Sequence, residues 1–238
     1  SFSPEKSVAL MPNEVRLKTR LGSLLLGQGR RPEAMDMLRS AMDQAPMLPD
    51  AYGLLGMAKR DEGPEAQKEA ETLLREAVRL APEDPIQIPR LVGLLLAQAR
   101  VDPERTDTLR EEALALLEPI TRGDSKSSEG YLLQAIATRE SGGDVEKCEW
   151  LLKQARKTTD KRGDRISRIR IERALLGVVQ GNLDQSETTL RELMAKDMSN
   201  SRIFMALATV LEARQQYIPA HAELLRAAER TPPNSLLR

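Results

Sequence analysis

Apolar side chains recur along the 238-residue chain with one spacing: a small residue, Leu four positions later, and a small or aliphatic residue three after that. Six sets follow it: Ala34, Leu38, Ala41; Ala70, Leu74, Ala77; Ala113, Leu117, Ile120; Cys148, Leu152, Ala155; Ser186, Leu190, Leu193; and Ala220, Leu224, Ala227. Offsets of four and three put each set on one helical face. Twelve residues before the small member stands another small residue, Gly22, Ala174 or Ala208, in three of the units, marking a preceding helix. The predicted unit is a helix pair. In the other three units this distance is longer: Gly56 to Ala70 by two residues, Ala135 to Cys148 by one and Val92 to Ala113 by nine. These insertions are expected at the turns between helices.

The punctuation agrees with the period. Pro46, Pro82 and Pro232 follow second helices, which a residue without an amide proton cannot prolong. Gly29, Gly63, Gly142 and Gly181 each lie seven residues after the small residue of a first helix, where a left-handed C-terminal cap would end it. Pro32, Asp184 and Pro219 suit the first turn of the second helix.

Two units, "VRLKTRLGSLLLGQGRRPEAMDMLRSAMDQAPML" and "SRIFMALATVLEARQQYIPAHAELLRAAERTPPN", resemble the tetratricopeptide repeat (TPR) family, in which about 34 residues form two closely packed antiparallel helices. The resemblance spans nearly the whole chain after residue 13. It departs from the family in aromatic usage: Tyr52, Tyr131 and Phe204 keep the first-helix aromatic site, Lys18, Ile88 and Arg170 replace it, and Leu stands for the usual second-helix Phe. The resemblance implies an all-α fold, a right-handed α-solenoid of about six helix pairs. Residues 1–12 are expected to form an N-terminal extension and 13–238 the array, with repeats near 15–48, 49–84, 85–124, 125–161, 164–199 and 200–234. The chain opens at Ser1 without methionine and stops at "TPPNSLLR" with no polar capping helix, so it is expected to be a fragment of a longer protein.

Composition narrows the chemistry. The 36 basic residues balance the 36 acidic ones, so no global field draws the chain to nucleic acid or an anionic membrane. No apolar run approaches the roughly 18 residues of a spanning helix; no membrane insertion is expected, and periplasm and cytoplasm both stay open. One cysteine, Cys148, leaves no internal disulfide and no multi-thiolate zinc site, and one histidine, His221, excludes most histidine-based metal sites; no fixed nucleophile is evident near His221 for a catalytic triad. Cys148 occupies a small-residue site and reads as a packing thiol, and His221 as a surface or groove residue. No cofactor, metal or catalysis is expected. The Arg-Gly-Asp triplets at 122–124 and 162–164 read as turn chemistry. The basic stretch Arg156 to Arg173 reads as a solvated face, with a local anion or acidic-peptide site as the alternative.

The family resemblance implies a groove lined by first helices that takes a peptide or protein segment. Its wall residues, carried onto this chain, are Thr19, Ser23, Leu26, Met57, Arg60, Leu132, Ile136, Arg139, Arg168, Leu175, Arg202, Met205, Thr209 and Glu212. Thr19 and Ser23 stand where chaperone-binding members hold a carboxylate, which argues against such a clamp. The mixed apolar and basic wall suits an amphipathic or partly acidic partner. The expected function is a non-catalytic interaction scaffold, in a bacterial envelope or exopolysaccharide-export assembly by analogy. A regulatory arm of an enzyme whose catalytic domain lies elsewhere and a self-assembling solenoid stay open as alternatives. Gly27, near the end of its helix and facing the expected groove, is read as a point of close approach for a partner's backbone.

Overall fold

A computed structural model describes residues 4–60, 62–122, 127–159 and 164–231. Among them twelve helices form and no strand does: α1 (Pro4–Gly27), α2 (Arg31–Gln44), α3 (Pro49–Arg60), α4 (Pro64–Leu80), α5 (Gln87–Val101), α6 (Thr106–Thr121), α7 (Ser128–Glu140), α8 (Val145–Lys157), α9 (Asp164–Val179), α10 (Leu183–Lys196), α11 (Ser201–Ala213) and α12 (Tyr217–Arg230). The chain divides into two compact units, residues 1–94 and 95–238, each with its own packing. Pro232, Leu236 and Leu237 and two residues of each Arg-Gly-Asp triplet lie outside the described residues.

In the first unit α1 packs on α2 and α3 on α4, with α2 against α3. The small residues set these spacings. A Cβ placed on Gly22 would stand 2.8 Å from Leu38 Cγ, and one on Gly56 would stand 2.7 Å from Leu74 Cγ, so each glycine lets its partner helix approach. Leu38 and Leu74 are fully buried as a result. α1 begins at Pro4 and runs through Pro12 into the first repeat, forgoing the one backbone hydrogen bond that a proline cannot donate.

In the second unit α7 pairs with α8, α9 with α10 and α11 with α12, and α9 also touches α11 and α7. The core between α9, α10, α11 and α12 gathers Ile171, Leu190, Leu193, Ile203, Leu207 and Val210. Three helix starts carry side-chain caps: Ser127, Asp144 and Asn200 accept from the amides of Gly130, Glu146 and Arg202 at 3.1, 2.8 and 3.2 Å. Cys148 is buried, and burial pushes its thiol pKa up. His221 is exposed.

The nine-residue insertion is not at a turn. α5 runs nine residues past Val92, where the other first helices run four or five past their small residue, and α6 starts seven residues before Ala113. Four of the other five second helices start only three residues before theirs, so the insertion is spent mostly on one more turn in each helix. A good helix-forming sequence, "LVGLLLAQARV", carries the register onward, and the Thr106 hydroxyl closes the short connection by bonding to the Ala99 carbonyl at 2.8 Å.

Leu224 departs from its set. It is 40% exposed, whereas its neighbour Glu223 is 7% exposed, because no later described helix covers this side of α12.

The four cap glycines all take positive φ: 76° at Gly29, 126° at Gly63, 67° at Gly142 and 79° at Gly181. The same position in the last pair, seven residues after Ala208, is Gln215, with φ of 61°. Its amide still donates to the Glu212 carbonyl at 2.8 Å, so the turn geometry is kept by a residue with a Cβ. Gln215→Gly is expected to raise stability by about 0.5–1 kcal/mol, read as a higher urea midpoint with unchanged slope.

Candidate partner-binding groove

α5, α7, α9 and α11 each turn one face toward a shared cavity of about 350 Å³ in the second unit. The residues follow helical spacing: Leu133, Ile136 and Glu140 on α7; Arg168, Ile171, Glu172 and Leu175 on α9; Arg202, Met205, Ala206 and Thr209 on α11. Leu96 and Arg100 of α5, Arg139 of α7 and Leu224 of α12 complete the lining.

An ion-pair relay runs along the charged side of this cavity. Glu140 Oε1 accepts from Arg100 Nη2 at 2.8 Å and from Arg139 Nη2 at 3.4 Å. Arg139 Nη2 stands 3.0 Å from Glu172 Oε2, and its Nε donates to the same oxygen at 3.1 Å. Glu140 Oε2 is buried without a hydrogen-bond partner, Arg110 Nη2 standing 4.0 Å away. The Glu172 side chain is only 13% exposed. Burial pushes its carboxyl pKa up, and Arg139 opposes that shift. Arg168 is committed to Glu129 at 2.7 Å, which Arg165 also grips at 3.2 Å, and Arg202 lies 3.9 Å from Asp164.

Seven of the wall residues expected from sequence line this cavity: Ile136, Arg139, Arg168, Leu175, Arg202, Met205 and Thr209. Leu132 is fully buried in α7 and Glu212 stands exposed outside the lining. In the first unit Thr19 is buried and its hydroxyl bonds back to the Val15 carbonyl at 2.9 Å. Ser23 is exposed, Leu26 half-buried, and Arg60 rests on Met57 with 3.7 Å between Nη1 and Sδ. Gly27 is exposed with open space around it.

Sequence reasoning missed Arg100, Glu140 and Glu172. Arg100 belongs to the extra turn of α5, so counting from Val92 with the spacing of the other repeats passes over it. Glu140 ends α7 directly after Arg139, and its pairing with a residue 40 positions earlier leaves no mark in local periodicity.

The lining holds four arginines against two glutamates around an apolar strip of Leu96, Leu133, Ile136, Ile171, Leu175 and Met205. Such a surface matches a segment with apolar side chains and an excess of negative charge. Among the described residues no group of three or more His, Cys, Asp or Glu is placed to hold a metal ion. No described helix is long and apolar enough to cross a membrane.

No protein-family profile matches the sequence, and no curated protein matches it. Solved structures do. A thermophilic TPR protein of Thermus thermophilus aligns with a TM-score of 0.63 at 22% identity, over 87% of this chain and 99% of its own. PilF of Pseudomonas aeruginosa aligns at 0.63 and 17% identity, over 95% of this chain and 96% of its own. PilW, described as a widely conserved type IV pilus biogenesis factor, aligns at 0.65 and 12% identity, over 94% and 96%. The fold is that of a TPR solenoid with about six helix pairs.

Proposed function

We propose that this chain is a non-catalytic scaffold that holds an amphipathic, partly acidic protein segment in the groove between α5, α7, α9 and α11. The observation that carries the reading is the lining itself: an apolar strip beside four arginines, of which Arg100 and Arg139 share Glu140 and Glu172 while Arg168 and Arg202 face Glu129 and Asp164 outside the lining. An occupant supplying apolar side chains buries the strip, and its carboxylates accept from donors that the multidentate guanidinium groups keep beyond their existing partners. Ion pairs already formed inside the groove hold the arginines in place, so less rotamer freedom is lost on binding. The likeness to PilW supports placing the scaffold in a bacterial envelope assembly, where a repeat array would hold components together.

The test is selection of random 16-residue peptides displayed on phage against the full chain. Retained peptides are expected to carry two or three apolar residues at helical spacing together with Asp or Glu. Arg202→Glu with Met205→Glu is expected to lower their retention at least about tenfold while leaving helicity unchanged, because Arg202 is exposed and Met205 half-buried. Selection of basic peptides, or retention indifferent to this pair, would overturn the reading.

A further inference from the structure

We infer that a second cavity, between α8, α9 and α10, binds an acidic protein segment that sets an apolar or aromatic side chain against Trp150. This site is lined by different residues from those of the groove. α9 turns Arg168, Ile171, Glu172 and Leu175 to the groove, and Arg170, Arg173, Ala174 and Gly177 to this cavity. The two quartets are offset by two residues, roughly 200° around the helix, so they lie on opposite faces. The cavity measures about 760 Å³, within the range of ligand sites.

Three of its charges are unspent. Glu149 is used by Gln180, whose Nε2 donates to it at 2.7 Å, and Arg170 is paired with Glu192 at 2.8 Å. Lys153, Arg156 and Arg173 also line the cavity, and among the described residues their side chains make no ion pair or hydrogen bond. Three cations facing one space repel one another, and carboxylates placed among them relieve that repulsion. The basic run seen in the sequence is thus divided: Arg165 and Arg168 are bound to Glu129, whereas Arg156 and Arg173 face this cavity.

Trp150 supplies the apolar contact. It is 51% exposed, and its ring meets Tyr131 edge-on with centroids 6.0 Å apart, so one side of the indole is braced while the rest stays open. Ser186 lines the cavity at 3% exposure. Gln185 on the same uncharged wall offers an amide that can donate and accept at once, as a peptide group requires. A nucleic-acid strand would call for successive stacking faces along a continuous basic track. One indole and a neutral third wall favour a peptide.

Trp150 is the only tryptophan in the sequence, so indole emission excited at wavelengths beyond tyrosine absorption reports on this cavity. The probe is an acetylated, amidated heptapeptide, Glu-Asp-Glu-Phe-Glu-Asp-Glu, titrated at low salt. A saturable change in emission is expected. Arg156→Gln with Arg173→Gln is expected to weaken binding at least about tenfold with unchanged circular dichroism, since both side chains are exposed and unpaired. Lys153→Gln alone should weaken it less. The groove variant Arg202→Glu with Met205→Glu should bind the probe like the parent chain, so failure of the groove reading and failure of this one give different results. The inference is overturned by an absent emission change, by equal binding of the peptide with all six acids replaced by Gln, or by indifference to the arginine substitutions. Tighter arginine-dependent binding of a ten-nucleotide oligothymidylate than of the peptide would overturn it in favour of nucleic acid.

Discussion

Arg139→Met is expected to destabilise the chain by about 3 kcal/mol at neutral pH, with most of that loss recovered in mild acid. Arg139 is the cation that Glu172 faces at 3.0 Å, and the Glu172 carboxyl is nearly buried. Removing the guanidinium leaves an uncompensated carboxylate in the second unit, beside Glu140, whose Oε2 already has no hydrogen-bond partner. The direction with pH follows from linkage. The folded-state pKa of Glu172 lies above the ordinary 4.5, chiefly through burial. Its contribution is therefore fully present below pH 4.5 and is lost as pH rises through the raised folded value. Without Arg139 the upward shift is larger, so the extra loss opens across a wider interval above pH 4.5 and is greatest at neutrality. Urea unfolding at pH 4.5 and at neutrality measures it. Arg139→Lys, which keeps the charge, should lose much less. A loss equal at both pH values would assign the effect to the packed stem of the arginine instead.

Gly56→Ile is expected to cost about 3 kcal/mol. The first added carbon alone would stand 2.7 Å from Leu74 Cγ and 3.1 Å from the Ala70 carbonyl oxygen. A leucine side chain can turn away, but a backbone oxygen moves only with α4, so relief means separating the helix pair. Gly27→Ala gives the opposite result although both glycines are helical. An added Cβ at 27 meets nothing within 4 Å, so stability should rise by up to about 1 kcal/mol. Thermal unfolding of the two variants side by side makes the comparison. The same Gly27→Ala variant tests the close approach of a partner read from the sequence: peptide retention should fall only if a backbone comes that near.

This contrast marks what periodicity could and could not supply. Offsets of four and three located second-helix cores such as Ala70, Leu74 and Ala77, because burial on one helical face repeats with the helix. Spacing also located the positive-φ turns, since a cap must follow its helix at constant distance. It could not say whether an insertion would enter a turn or lengthen a helix, because both leave the hydrophobic register intact. For that reason Arg100 escaped notice. The Arg100, Glu140, Arg139 and Glu172 relay was hidden for a different reason: its members come from three helix pairs, and one-helix patterns carry no information about which charges meet between pairs. Leu224 and Gln215 show a third limit. Each sits at the expected place, but its environment depends on what covers α12 and on whether a Cβ is tolerated at positive φ.

α9 is a single rod with a cavity on each side. A ligand that shifts it along or about its axis in one cavity moves Arg170 and Arg173 on one face and Arg168 and Glu172 on the other together. Any resulting change in affinity must be equal in both directions, so a segment bound at the indole would tune the groove by the same factor with which the groove's occupant tunes the indole site.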